Sequence, residues 1–221
     1  MRTRKTRTAL CSALTALAVA AGALSISACT PLRVVTHTVA VDEARVPVGA
    51  YKMDADHWSI TFDVEHLQYS RFVMRFDRAH ALLDWKPGGL EASTVDVTID
   101  AASVDTKVPL LDKMVKGPDM FDATAFPTLH FVGKRFVRTG RAQGKLEGEL
   151  TIRNVTRPIT LDVTFNGYGR NPLTKADTLG FSAQGVFSRA QFGLATWYPA
   201  VGNDVHVRVE AEFERTEKAG A

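Results

Sequence analysis

The stretch WSITFDVEH, Trp58 to His66, sets apolar Trp58, Ile60, Phe62 and Val64 against polar Ser59, Thr61, Asp63 and Glu65. A period of two is the mark of a β-strand with one dry face and one wet face. A dry face needs a second layer to cover it. The fold therefore follows from what the rest of the chain offers as cover.

The same alternation returns between Tyr51 and Arg215. Phe72, Met74 and Phe76 share one face, and Ala81, Leu83 and Trp85 continue it less cleanly. Further dry faces are Val95, Val97 and Ile99; Leu129 and Phe131; Leu146, Gly148, Leu150 and Ile152; and Ile159, Leu161, Val163 and Phe165. Phe181, Ala183 and Gly185, then Val205, Val207, Val209, Ala211 and Phe213, complete the set. These runs predict eight or nine strands separated by turn-forming stretches such as KPGG, RTGR, RNVTRP and VGND. The connections are too short for helical crossovers, so the strands are expected to be antiparallel. One segment differs: Leu110, Leu111, Met114 and Val115 have helical spacing, and Gly117-Pro118 ends that helix. A single short helix cannot cover so many strands, which leaves a β-sandwich or a closed barrel. Glycines 144, 148, 167, 169 and 185 in or beside strands permit strong bending and favour the barrel.

The chain has 221 residues, with 45% hydrophobic and 23% charged residues, a composition suited to one domain with a real core. Its formal charge of +3 is misleading. Arg2, Arg4, Lys5 and Arg7 lie in the first 28 residues, and without these four the balance is 23 basic against 24 acidic residues. Nucleic-acid binding therefore has no electrostatic support. Residues 1–28 join that basic start to an apolar, Ala-rich run ending in small residues, and read as an export signal rather than a membrane anchor. The run ends in ISAC, Ile26 to Cys29, which resembles a bacterial lipobox; by that resemblance Cys29 is acylated and becomes the mature N-terminus. The alternative is an ordinary secretory signal that leaves Cys29 a free thiol. Cys11 would leave with the signal, so Cys29 has no intramolecular partner. Several acyl chains would anchor the protein stably. Residues 29–50 read as a tether with one short β-like piece at Val34–Val41, residues 51–215 as the domain, and 216–221 as a polar tail.

Catalytic and metal signatures are weak. His57, His66, His130 and His206 have no metal-ligand spacing, and no Cys-x-x-Cys or Gly-x-Ser-x-Gly occurs. His57 and Asp56 are expected to hydrogen-bond at a strand start, and His66 to be a strand-end residue, with a polar contact at the mouth of a barrel as the alternative. The acidic stretches DAASVDT and FDATAFP are explained by Asx-turns and helix caps. The basic stretch Lys134–Lys145 reads as a solvated hairpin, with contact to anionic lipid as the alternative. No catalytic residue, metal or cofactor is expected.

Six segments, in order, resemble the YceI family of exported, lipocalin-like bacterial proteins. They are YKMDADHWSITFDVEH, VDVTIDAASVDT, DMFDATAFPTLHF, GELTIRNVTRPITLDV, FSRAQFGL and VGNDVHVRVEAE. The resemblance implies an all-β fold, an extended antiparallel eight-stranded barrel with a short helical segment. It also implies a lumen that binds a polyisoprenoid such as a quinone tail, in a non-enzymatic carrier, buffer or scavenger of the periplasm or cell envelope. On that reading the lumen is lined by Trp58, Ile60, Phe62, Val64, Phe72, Met74, Phe76, Val97, Ile99, Phe131, Leu150, Leu161, Val163 and Phe181. The partners are then the isoprenoid and, through Cys29, a membrane; oligomeric state stays open, with a homodimer among the options. Three residues depart from the family pattern: Trp58 and Met74 are bulkier than usual, and Asn154 replaces a hairpin glycine. The first two raise the alternative of a side-chain-filled barrel that serves as a structural or interaction module with no ligand.

Overall fold

The computed structural model describes residues 34–216. Residues 1–28, expected to be an export signal, the expected acylation site Cys29 and most of the expected polar tail lie outside the described residues. Residues 39–170 and 176–216 form one compact unit. Residues 34–38 and Asn171–Lys175 belong to a second, small one, in which Asn171 Oδ1 accepts the Leu173 N–H at 2.9 Å in an Asx-turn.

The main unit has ten strands: β1 (Gly49–His66), β2 (Ser70–Phe76), β3 (Ala79–Trp85), β4 (Thr94–Asp100), β5 (Val104–Asp105), β6 (Thr128–Arg138), β7 (Gln143–Ile152), β8 (Val155–Arg170), β9 (Asp177–Ser188) and β10 (Asp204–Arg215). Its α-helix is α1 (Pro109–Lys116). All the pairings between these strands are antiparallel, and β10 pairs with β1 from Tyr51↔Arg215 to Asp63↔His206, which closes the sheet. The ten strands make eight staves. β1 pairs Ile60↔Phe76 on β2 and Lys52↔Leu82 on β3, so β2 and β3 are halves of one bent strand. β4 and β5 are likewise halves of one, interrupted by the 3-10 turn Ala101–Ser103. The result is an up-and-down, eight-stranded barrel. Closure decides against the sandwich because it leaves no unpaired edge along the main wall.

Local chemistry agrees with this path. The β7–β8 hairpin turns on two residues, Arg153 (φ 51°) and Asn154 (φ 61°), so Asn154 holds the left-handed conformation that the usual glycine would. Pro109 opens α1 and Gly117 ends it. α1 buries Val115 and leaves Leu110 exposed. The expected β-like piece at Val34–Val41 is absent: only Ala40 bridges, to Tyr168, because this segment has no sustained alternation to bury.

The barrel is sealed at the end where β1 begins. Tyr51, Trp85, Phe165 and Leu179 are fully buried there, and the Trp85 and Phe165 rings lie 5.8 Å apart. The Tyr51 hydroxyl donates to the Pro47 carbonyl at 2.7 Å, and burial pushes its pKa up to about 12. At the opposite end the wall is completed by α1 and by the loop that joins β9 to β10.

Candidate functional site

Above the aromatic floor the barrel encloses a cavity of about 610 Å³. That is within the usual range for sites that hold a small molecule, roughly 300–1,000 Å³. Thirteen of the fourteen residues expected to face the lumen line it: Ile60, Phe62, Val64, Phe72, Met74, Phe76, Val97, Ile99, Phe131, Leu150, Leu161, Val163 and Phe181. Strand parity brings them together from seven strands.

Trp58 is the exception and corrects the sequence expectation. β1 shifts register against β10 between Met53 and Trp58. The irregular residues reverse the parity, so Met53 faces the cavity on one side of the bulge and Ile60 on the other. Trp58 sits at the end of the bulge, half-buried against the core, and its indole N–H donates to Ala55 O at 3.1 Å. Met74 stays on the wall, packed with Val64 and Val205. Neither bulky residue plugs the tube.

Other lining residues lay outside the sequence expectation. Val205, Val207, Val209, Ala211 and Phe213 alternate cleanly along β10, so their parity was available as a signal. Met114 comes from α1, whose helical spacing is legible; the mouth residues Leu67, Met120, Arg189, Leu194, Trp197 and Val201 are not foreseeable in this way, because residues outside strands and α-helices have no sustained period.

The lining is almost entirely apolar. Apart from the Trp197 indole, its polar side chains are His66, Ser93, Thr94 and Arg189. Ser93 lies toward the floor and is already engaged: its hydroxyl donates to Gly89 O at 2.7 Å and accepts the Lys86 N–H at 3.1 Å. His66 is the last residue of β1, and it also lines the mouth, with its ring 6.2 Å from that of Phe72.

Among the described residues Arg189 is the one charged side chain of the wall besides the titratable His66, and it is only 4% exposed. Its Nε donates to Gly202 O at 2.8 Å, Nη2 to Val201 O at 2.8 Å, and Nη1 to Thr196 O at 2.9 Å and to Leu194 O. Burial alone lowers its pKa from the ordinary value. This fork ties the β9–β10 loop into a fixed rim. The same loop is held to the end of β1 by Gly202 N–H to Glu65 O and to the residue after it by Leu67 N–H to Ala200 O, both 2.8 Å.

Polar groups elsewhere have local partners. His57 bonds to Asp54 (Nδ1 to Oδ2, 2.8 Å) and not to Asp56 as expected, because the bulge turns Asp54 back over it. Asp54, His57 and Glu212 bring their donor atoms within 4.8 Å of one another, but on the outer wall and away from the cavity. In the first acidic stretch the carboxylates close turns: Asp100 accepts the Ala102 N–H and Asp105 the Lys107 N–H, both at 2.8 Å. The basic hairpin pairs with carboxylates across strands, Lys134 with Glu149, Arg135 with Glu147 and Lys145 with Asp162. No helix among the described residues is long and apolar enough to cross a membrane.

Residues 51–213 match the YceI-like domain. The chain is 30% identical over 162 residues to a UPF0312 protein of Vibrio cholerae, covering 73% of this chain and 83% of that one. A UPF0312 protein of Staphylococcus aureus is 28% identical over 173 residues, covering 76% and 98%. Among solved structures, the Campylobacter jejuni YCEI protein is similar with a TM-score of 0.62 at 28% identity, covering 82% of this chain and all of that one. A polyisoprenoid binding domain from Saccharophagus degradans has the same fold, with a TM-score of 0.54 at 12% identity over 77% of this chain and all of that one.

Proposed function

The chain belongs to the YceI-like family, and on that footing we propose that its barrel binds the long apolar chain of an isoprenoid lipid, such as the tail of a quinone. The observation that carries this reading is the cavity of about 610 Å³ with an almost wholly apolar wall, closed at one end and open at the other. A blind apolar tube suits a flexible hydrocarbon chain that enters by its end. Burial of such a chain contributes roughly 0.8 kcal/mol per CH₂-sized unit before ordering costs. The ligand class named for the Saccharophagus degradans domain agrees with that chemistry. A side-chain-filled interaction module is the weaker reading, since Trp58 and Met74 leave the lumen open.

No reaction is needed for this role. Of the lining side chains that could act as base or nucleophile, His66 lies at the mouth, while Ser93 lies toward the floor with its hydroxyl bonded to Gly89 O and Lys86 N–H, so the two are not paired. The protein acts on this reading as a carrier, buffer or scavenger in the cell envelope. It is exported by residues 1–28 and held to a membrane by acylated Cys29, and it works without cofactor or metal.

The test is to purify residues 30–221 from a bacterial host without detergent, extract with organic solvent and weigh what comes off by mass spectrometry. About one prenyl lipid per protein is expected. Folded protein that is empty and refuses added long-chain quinone would overturn the reading.

A further inference from the structure

Arg189 gives the tube a chemical direction. Its side chain is buried at the mouth, in contact with the lumen, while the other end is an aromatic floor whose Ser93 hydroxyl is satisfied within the protein. A guanidinium has five N–H donors. Four are engaged, two on Nη1, one on Nε and one on Nη2, and each goes to a backbone carbonyl. The carbonyls satisfy geometry, but none has a formal charge. A buried cation with only neutral partners is costly, and the cost falls when an anion meets it. The donor left over is on Nη2, and His66 adds a second polar group on the same rim: its backbone bridges Val201, whose carbonyl accepts from Nη2.

We propose that the lipid taken up by the barrel has an oxyanion head group, a phosphate or a carboxylate, that rests at the mouth against Arg189 while the chain fills the tube toward Trp85. This rests on the long-chain-binding reading above and narrows it. Arg189 is then the residue that selects the head, and the apolar wall accepts the chain with little discrimination. A neutral quinone ring can accept the remaining N–H, but it supplies no counter-charge, so charged amphiphiles outcompete neutral ones of equal length.

The experiment compares four probes on the unaltered protein by titration calorimetry: geranylgeranyl phosphate against geranylgeraniol, and palmitate against hexadecanol. At least one anion is expected to bind about tenfold or more tightly than its alcohol, as a charge-assisted hydrogen bond allows. The two pairs separate phosphate from carboxylate as the preferred head. Alcohols that bind as well as both anions would overturn this inference and leave chain binding standing; four probes that all fail to bind would overturn both. Arg189→Gln is the matching variant. If its circular dichroism is native, it is expected to lose the preference, so that the anion and the alcohol of each pair bind within about twofold of one another. A folded variant that keeps the preference would also overturn the inference. Should Arg189→Gln not fold, the comparison on the unaltered protein decides alone.

Discussion

The ring of Phe131 on β6 lies across Gly148 on β7, so closely that a methyl group added to Gly148 would meet the ring at 2.5 Å. The same methyl would lie 2.6 Å from the Val132 carbonyl oxygen, so backbone as well as side chain stands in the way. The missing side chain lets a large ring cover the inner wall and become part of the cavity lining. Gly148→Val is therefore expected to destabilise the barrel by about 1–3 kcal/mol, the usual cost of overpacking. Urea denaturation measures it; an unchanged midpoint would mean that Phe131 has room to move.

Ala183 on β9 is a small residue of the cavity wall, flanked across strands by Val163 and Val209. Ala183 packs against the core and also borders the cavity, so a larger side chain here has the cavity to grow into. Ala183→Phe is expected to keep the melting temperature of the empty protein while weakening long-chain binding about tenfold or more, since blocked CH₂ groups lose their burial. A melting temperature that drops sharply would place Ala183 in closed packing instead.

These two residues also show what was legible in the sequence. Ala183 and Gly148 sit in alternating runs, and alternation fixes which side chains look inward wherever a ladder is regular. That is why pattern puts Phe62, Phe131, Leu161 and their companions on dry faces, and the family resemblance then makes those faces the wall of a lumen. Pattern fails where the ladder is irregular. The bulge before Trp58 reverses parity within one strand, so Tyr51 and Met53 turn inward at odd numbers and Ile60 at an even one. It also brings Asp54 to His57, a pairing that no spacing rule suggests. The mouth was hidden for another reason: Arg189 and Trp197 get their place from loop hydrogen bonds, and loop geometry leaves no period in a sequence.

The Asp54–His57 pair sets a pH dependence. Burial pushes the Asp54 carboxyl up, but hydrogen bonds from the Asp56 and His57 sides outweigh it and hold the pKa below its ordinary value of 3.8. The bond to Asp54 raises that of His57 above 6.5. His57 thus contributes stability that is complete below 6.5 and is lost as the pH rises through its raised folded value. Asp54 contributes stability that is complete above 3.8 and is lost as the pH falls through its lowered value. The pair stabilises most between those two ordinary values. Asp54→Asn should bring the His57 titration, followed by NMR, back down toward 6.5. The stability change should stay within about 1 kcal/mol, because the imidazole is exposed. A His57 titration that does not move would assign its shift to Glu212 instead.

Arg138, at the end of β6, holds two turns at the sealed end together. Its Nη1 lies 2.8 Å from Glu43 in the 3-10 turn Glu43–Arg45, and its Nε lies 2.5 Å from Glu91 in the turn Gly89–Glu91. Glu43 in turn accepts the Leu90 N–H at 2.9 Å, and Leu90 is buried and lines the cavity near its floor. Removing the cation leaves two carboxylates facing each other over that floor. Arg138→Ala is expected to cost about 1–2 kcal/mol, more than an isolated surface pair because several charges form a network, and more at low salt than at high. Arg138→Lys should recover only part of the loss, because an ammonium cannot fork to two carboxylates as a guanidinium does. Hydrogen exchange gives the local reading: the amides of Val46 and Leu90 should lose protection in Arg138→Ala, while those of β8 and β9 stay as slow as before. Uniform loss across the barrel would mean that Arg138 supports the whole closure and not only its sealed end.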